Sequence, residues 1–401
     1  MKEASRMELL YLDETSTMQF SGTISSKLPQ VGTTIFSVMS ALANAEGAIN
    51  LSQGFPDFPL DPELISLVNQ QMKGGFNQYA PMQGDMGLRE QIVRKAETLY
   101  GQVYHPETDI TITAGGTQAI FTAITAILRE GDEVVVFTPA YDCYIPAIEL
   151  TGANPVYVEL HAPNFSIDWR EVHKLVNHHT KMIIINTPHN PSGTVWSRED
   201  MLALEKLTRG TDIVIISDEV YQHIIYDGQD HQSVARYPEL AERSFLVGSF
   251  GKTFHATGWK IGYVMAPIEL MREFNKVHQF VTFAVNHPVQ KGMAAYLKTP
   301  DHYLEVTALF QRKRDLFLEA IAGSRFKVNP SAGTYFQLLD FSDITDESDV
   351  DFAERLTREN KLASIPVSVF YQNESQDSVL RFCFAKQDET LLKAAEILQQ
   401  V

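Results

Sequence analysis

Between Ser249 and Lys260 the chain reads Ser-Phe-Gly-Lys-Thr-Phe-His-Ala-Thr-Gly-Trp-Lys, directly after the apolar run Phe245-Leu246-Val247. One serine and two lysines therefore sit on a single loop at the end of what reads as a buried strand. An α/β enzyme usually carries its chemistry at such a place. A lysine whose ammonium is discouraged becomes an amine nucleophile, and a second cation nearby can hold a phosphate. Of Lys252 and Lys260 one suits the first part and the other the second. Gly251-Lys252-Thr253 also looks like the end of a nucleotide-binding P-loop. That loop needs a glycine five residues ahead of the Gly-Lys pair, so that bare backbone N–H groups wrap the phosphates. Position 246 is Leu and Gly248 falls too close.

Other strand ends carry polar residues of the same kind. Ile213-Val214-Ile215-Ile216-Ser217-Asp218 is an apolar run closed by an acid. A carboxylate there needs a partner, because burying a lone charge is costly. It is either a structural cap or ion pair, or the partner of a cationic ring nitrogen in a bound heterocycle. Lys181-Met182-Ile183-Ile184-Ile185-Asn186 runs into Thr187-Pro188-His189-Asn190-Pro191-Ser192-Gly193. Its prolines stiffen the turn, so that Asn190 is either an ordinary turn residue or an amide aimed at a ligand. Thr111-Ile112-Thr113 is followed by Ala114-Gly115-Gly116, and a helical pattern begins at Thr117. Free N–H groups and the dipole at such a helix start favour a phosphate. Tyr141 follows the strand Glu133–Phe137 and could stack on a heterocycle or simply pack. Arg381 is a lone cation in the apolar strand Val379–Phe384. It must meet an anion, either a protein carboxylate or the α-carboxylate of an amino acid, to which a flat guanidinium is well shaped.

These motifs, in this order, resemble those of fold-type I pyridoxal-phosphate aminotransferases (classes I and II). The resemblance runs from about Lys27 to the C-terminus. It includes Gln53-Gly54-Phe55-Pro56-Asp57-Phe58 near the start. The phrases Leu28-Pro29-Gln30-Val31-Gly32-Thr33-Thr34-Ile35-Phe36 and Asn77-Gln78-Tyr79-Ala80-Pro81-Met82 look like bacterial methionine aminotransferases and the related kynurenine and glutamine transaminases. The resemblance implies pyridoxal 5′-phosphate as cofactor, with Lys252 as its covalent anchor and the proton-transfer base. Asp218 would lie on the ring nitrogen, Asn190 and Tyr221 on the phenolic oxygen, and Tyr141 against the ring. The phosphate would be held by Gly115, Gly116, Thr117, Ser249 and Lys260, and by Tyr79 from a neighbouring subunit. Arg381, Asn190, Gly54 and Phe36 would receive the substrate. The resemblance further implies a homodimer, amino-acid and 2-oxo-acid substrates, and a ping-pong transfer. No second cation with a motif behind it serves a distal carboxylate: Arg272, Lys276, Lys291 and Lys298 lie on helical patterns. Ile35, Phe36, Tyr79 and Phe283 could line a neutral pocket or pack in a core. A methionine, glutamine, aromatic amino acid or kynurenine is therefore expected in preference to aspartate. The alternative on the same scaffold is a β-lyase acting on cysteine S-conjugates.

Composition excludes other classes. The 401 residues carry a net charge of −17 with no basic block, which argues against nucleic acid and anionic membrane surfaces as partners. The few, non-basic residues ahead of Lys27 do not read as a DNA-binding module. Two cysteines, Cys143 and Cys383, give no disulfide framework and fit a reducing cytoplasm. Met1-Lys2-Glu3-Ala4-Ser5-Arg6 leads into no apolar h-region, and no stretch approaches the ~20 apolar residues of a membrane span. The 12 histidines are scattered, without metal-ligand spacing.

Positioning these loops requires alternating strands and helices. Strands are predicted near 110–114, 133–137, 155–159, 182–186, 213–217, 245–248 and 261–265. They should form a mainly parallel seven-stranded sheet covered by helices, with ligands at the strand C-terminal ends. Helices are predicted over about 268–278, 287–298 and 301–322. An α+β unit follows, with strands near 335–339 and 379–384 and helices near 349–359 and 388–399. The expected organisation is an arm (1–26), a small-domain segment (27–50), a large cofactor-binding domain (51–295) and a small domain (296–401).

Overall fold

A computed structural model describes residues 20–373, 375 and 377–401. Most of the expected arm, up to residue 19, lies outside the described residues. Residues up to Val31 and those from Gly32 onward form separate units, and the architecture below is that of Gly32–Val401.

The predicted strands are all present: β2 (Ile110–Thr113), β3 (Glu133–Thr138), β4 (Asn154–Glu159), β5 (Thr180–Asn186), β6 (Val214–Asp218), β7 (Ser244–Ser249) and β8 (Gly262–Met265). They form one sheet in the order β2-β8-β7-β6-β5-β3-β4. The run from β7 to β4 is parallel, and β8 lies antiparallel between β2 and β7. The reversal follows from the short 250–261 connection, since a parallel return needs a crossover of about a dozen residues or more, usually with a helix. The central strands are apolar on both faces, and consecutive residues point oppositely. Ile183, Ile185, Ile215 and Leu246 enter one core. Met182, Ile184, Val214, Ile216, Phe245 and Val247 enter the core on the other face. Helices therefore cover both sides, as a mainly parallel sheet requires.

A third core is built on Phe336, Leu339, Phe352, Leu356, Leu380 and Phe382. Its sheet has the order β12-β13-β10-β9, from β9 (Lys327–Val328), β10 (Phe336–Asp340), β12 (Ile365–Pro366) and β13 (Val379–Cys383). Beside it β1 (Ile49–Asn50) pairs in parallel with β11 (Leu362–Ala363).

Two helix boundaries differ from the sequence reading. The first helix of the large sheet begins at Gly115 rather than Thr117. The expected 301–322 helix is interrupted at Glu305, giving Asp301–Leu304 and Val306–Ala320. The break lets Tyr303 join the first core while Val306 and Phe310 join the third. Among the described residues, no helix is long and apolar enough to cross a membrane. None of their His, Cys, Asp and Glu side chains group as a metal site.

Candidate active site

Strand register brings the polar ends together. Asn186 lies opposite Asp218, Asp218 opposite Val247, and Ser249 opposite Gly262. Their loops open into one cavity of about 160 Å³ lined by Gly115, Gly116, Thr117, Tyr141, Asn190, Asp218, Tyr221, Ser249, Lys252 and Lys260. Ten of the residues singled out from the sequence thus meet in one place.

Lys252 stands on the short turn Phe250–Thr253 and is partly buried. Burial draws its ammonium down to about 8, and the neighbouring Arg381 and Lys260 cations add to the effect. Burial pushes the Asp218 carboxyl up to about 6. Two donors hold it back from rising further: the Tyr144 hydroxyl, 2.5 Å from Oδ2, and the Val220 N–H, 3.3 Å from Oδ1. Asp218 makes no ion pair with a described residue. Burial also drives the Tyr221 phenol well above its ordinary range.

One end of the cavity is an anion cradle. The helix Gly115–Ile127 starts without any side-chain cap, leaving its first N–H groups to the cavity. Gly115 has φ +78°, and a Cβ there would come within 3.5 Å of the Lys260 side chain. At Gly116 a Cβ would come within 2.9 Å of Val220 Cγ1. Lys260 itself has φ +50° at the end of a tight turn, which directs the loop back toward the helix start. Thr117 Oγ1 lies 3.3 Å from the Tyr141 hydroxyl.

Arg381, Gly54 and Phe36 do not line this cavity but stand next to it. Arg381 is 1 % exposed and donates to Asn190 Oδ1 at 2.8 Å and to the Ser52 carbonyl at 3.2 Å. Its Nε has no partner, and among the described residues no carboxylate pairs with it. The guanidinium lies 3.9 Å from the Phe336 ring centre, with Phe36 at 5.1 Å and Phe370 at 5.9 Å. The Gly54 carbonyl accepts from the Tyr335 hydroxyl at 2.7 Å. Tyr79 is elsewhere. It is 82 % exposed, packs edge-on against Phe283, and stays out of its own chain's cavity.

Sequence reasoning missed three residues. Tyr144 opens the helix Tyr144–Glu149, three residues beyond Tyr141. Asn186 ends β5, donating to the Asp218 carbonyl and accepting from the Asn190 N–H, so that it fixes the turn to the strand. Phe370 reaches the site from a turn that no pattern announced; its carbonyl accepts from the Ala140 N–H.

The profile of the family described as aminotransferase class I and II matches residues 46–398. A methionine aminotransferase of Escherichia coli is 48% identical over 377 residues, spanning 94% of this chain and 98% of that protein. Human kynurenine–oxoglutarate transaminase 1 is 33% identical over 394 residues, covering 90% and 93%. A crystal structure of an Escherichia coli protein with methionine aminotransferase function superposes with a TM-score of 0.93 at 48% identity, covering 94% of this chain and 100% of that one. The chain therefore belongs to the class I and II aminotransferases. It is an enzyme, and its cofactor is pyridoxal 5′-phosphate. The cavity suits that group: an uncapped helix start and a lysine for a phosphate, a buried acid without a cationic partner among the described residues for a ring nitrogen, and a lysine with a lowered ammonium for an aldehyde.

Proposed function

We propose that this enzyme moves the amino group of a neutral L-amino acid, methionine foremost, with glutamine, aromatic amino acids and kynurenine as further donors, to a 2-oxo acid by a ping-pong mechanism. The observation that carries the substrate class is Arg381, a buried guanidinium without a carboxylate partner among the described residues and walled by Phe36, Phe336 and Phe370. It offers one α-carboxylate site in apolar surroundings. Arg272, Lys276 and Lys298 are exposed, and Lys291 is 3.0 Å from Asp85, so none of the four lines the cavity for a second carboxylate. The 48% identity to a methionine aminotransferase supports the same donor. A cysteine S-conjugate β-lyase is not favoured, since these relatives are aminotransferases.

In this reading Lys260, Ser249 and the Gly115–Thr117 helix start hold the cofactor phosphate. Asn190 and Tyr221 hold its phenolic oxygen, Tyr141 covers the ring, and Tyr79 of a second copy completes the phosphate site. When bound, pyridoxal phosphate supplies an electron sink for the bond that breaks at the substrate α-carbon. Arg381 and Asn190 orient the substrate carboxylate beside the Gly54 backbone and Phe36. Lys252, with its ammonium drawn down to about 8, carries a lone pair in a useful fraction of molecules near neutrality. It takes the α-proton as general base and returns it as general acid. Asp218 stays ionised against the ring nitrogen. A homodimer in the cytoplasm, divided into a large domain over 51–295 and a small domain over 296–401, completes the proposal. The exposed Tyr79 supports the dimer.

The test is the visible absorption of the holoenzyme during separate additions of methionine, glutamine, phenylalanine, kynurenine and aspartate. The lysine-bound cofactor band should bleach with methionine and persist with aspartate. Lys252→Ala should lose at least ~100-fold in turnover, the usual share of a positioned base. Retention of the band with every donor, while pyruvate forms from a cysteine S-conjugate, would move the assignment to the lyase.

A further inference from the structure

Asp218, Val220 and Tyr221 face the cavity, whereas Glu219, Gln222 and His223 of the same segment do not. These three are buried in a second polar cluster that the reaction does not use. Glu219 accepts from the Ser217 hydroxyl at 2.9 Å and the Val234 N–H at 3.0 Å, and lies 2.7 Å from His231 Nε2. Gln222 and His223 meet Lys95, which reaches in from the helix Met86–Tyr100 and is 5 % exposed. Its Nζ lies 3.0 Å from the Tyr263 hydroxyl, 3.1 Å from His223 Nε2 and 3.4 Å from Gln222 Oε1.

Burial without an ion pair among the described residues bears on the charge of this lysine. The Tyr263 oxygen already accepts from Gln222 Nε2 at 2.8 Å, and Gln222 Oε1 accepts from the Tyr100 hydroxyl at 2.9 Å. Lys95 Nζ donates to the Tyr263 oxygen and to Gln222 Oε1 and meets His223 Nε2. An amine keeps two of these donors and offers its lone pair to the Tyr263 hydroxyl in place of the third. No carboxylate forms an ion pair with Lys95 among the described residues, which a buried ammonium would require.

We propose that Lys95 is a positioning residue for the transfer reaction: as an uncharged amine it clamps the Asp218–Tyr221 segment from outside the cavity. The inference rests on the roles of Asp218 and Tyr221 proposed above. Tyr263 extends the clamp to the other side of the site, because it packs under Gly248, where a Cβ would come within 2.2 Å of its ring, next to Ser249. The groups facing the amine are His223, Gln222 and Glu219 of the 218–223 segment, Tyr263 of β8, and the Tyr303 ring; Tyr100, His231 and Arg236 stand behind them. Burial depresses the Lys95 ammonium to about 7, with Glu219 opposing. Protonation sets a cation without an ion-pair partner among the described residues beside His223, so the clamp loosens as pH falls through this range.

Lys95→Met keeps the length of the side chain and removes the proton. Because the folded lysine binds its proton less tightly than the unfolded one, wild type should gain stability relative to Lys95→Met as pH rises from about 7 to about 10. This is read from unfolding midpoints of the cofactor-free proteins, where Lys252 contributes equally to both. In the holoenzyme, kcat for methionine should fall on the order of tenfold, with KM held within about twofold, and lose its step near pH 7. Parallel stability curves, or an unchanged kcat, would overturn the proposal. Should Lys95→Met not fold, Gln222→Glu sets a carboxylate beside the amine. It should keep the lysine charged, remove the same stability slope and lower kcat; a slope and kcat like wild type would overturn the proposal equally. A wild-type holoenzyme without the lysine-bound visible band would defeat the reading of the site and the positioning role together, even if the stability slopes behave as expected.

Discussion

At the residue scale, the site works by burying groups against their preferred charge. Lys252 is driven toward the amine and Asp218 toward the acid by the same enclosure, yet the proposed reaction wants Asp218 ionised. Tyr144 is the side chain that resolves the conflict, because its hydroxyl stabilises the carboxylate more than the neutral acid. A hydrogen bond to a charged group is worth about 1.5–3 kcal/mol. Tyr144→Phe should therefore leave the cofactor-free protein close to wild type near pH 4, where the acid is protonated. The deficit should open above pH 6 and approach that amount near pH 8, since loss of the donor moves the acid still higher. Thermal melts at the two pH values read the difference, and the acidic limb of kcat/KM should move upward. Equal melts at both values would remove Tyr144 from the account. The sequence displayed Lys252, Asp218, Asn190 and Arg381 because a polar residue closing or interrupting an apolar strand is anomalous. Tyr144 and Phe370 were not legible, since an aromatic in a loop carries the same signal whether it packs or tunes an acid.

At the element scale, alternation and turn chemistry placed every strand of the large sheet, because strands buried on both faces read as unbroken apolar runs. The two-residue strands β1, β9, β11 and β12 leave no periodic trace, and only long-range pairing defines them. The antiparallel sense of β8 was equally hidden, since an apolar run has no direction. The start of the Gly115–Ile127 helix lay two residues before the apolar pattern did. Those two residues are the glycines that let the backbone approach an anion. The φ of +78° at Gly115 belongs to the left-handed region, which costs a residue with a Cβ roughly 1–2 kcal/mol. If that strain is relieved by moving the loop, Gly115→Ala should weaken cofactor binding about tenfold. Titration of the cofactor-free protein by fluorescence measures this. An affinity equal to wild type would show that the helix start does not serve the phosphate.

At the scale of the whole molecule, one residue proposed for the phosphate site stands outside the cavity of its own chain. Tyr79 is solvent-facing and absent from its own cavity, while the other residues proposed to hold phosphate line it. If Tyr79 serves the site of a second copy, two defective chains can repair each other. In a mixed dimer of Lys252→Ala and Tyr79→Ala chains, the Tyr79→Ala chain keeps its lysine and receives Tyr79 from its partner. One site is then whole and the other lacks both groups. With random pairing of equal amounts, about a quarter of all sites are intact, since half of the dimers are mixed and each has one good site. Co-expressed chains should thus regain about that fraction of wild-type turnover, while each variant alone stays far below it. If Tyr79 instead acted on its own chain, mixing would restore nothing, because every lysine-bearing chain would lack its tyrosine. Activity no greater than the average of the separate variants would exclude a shared site.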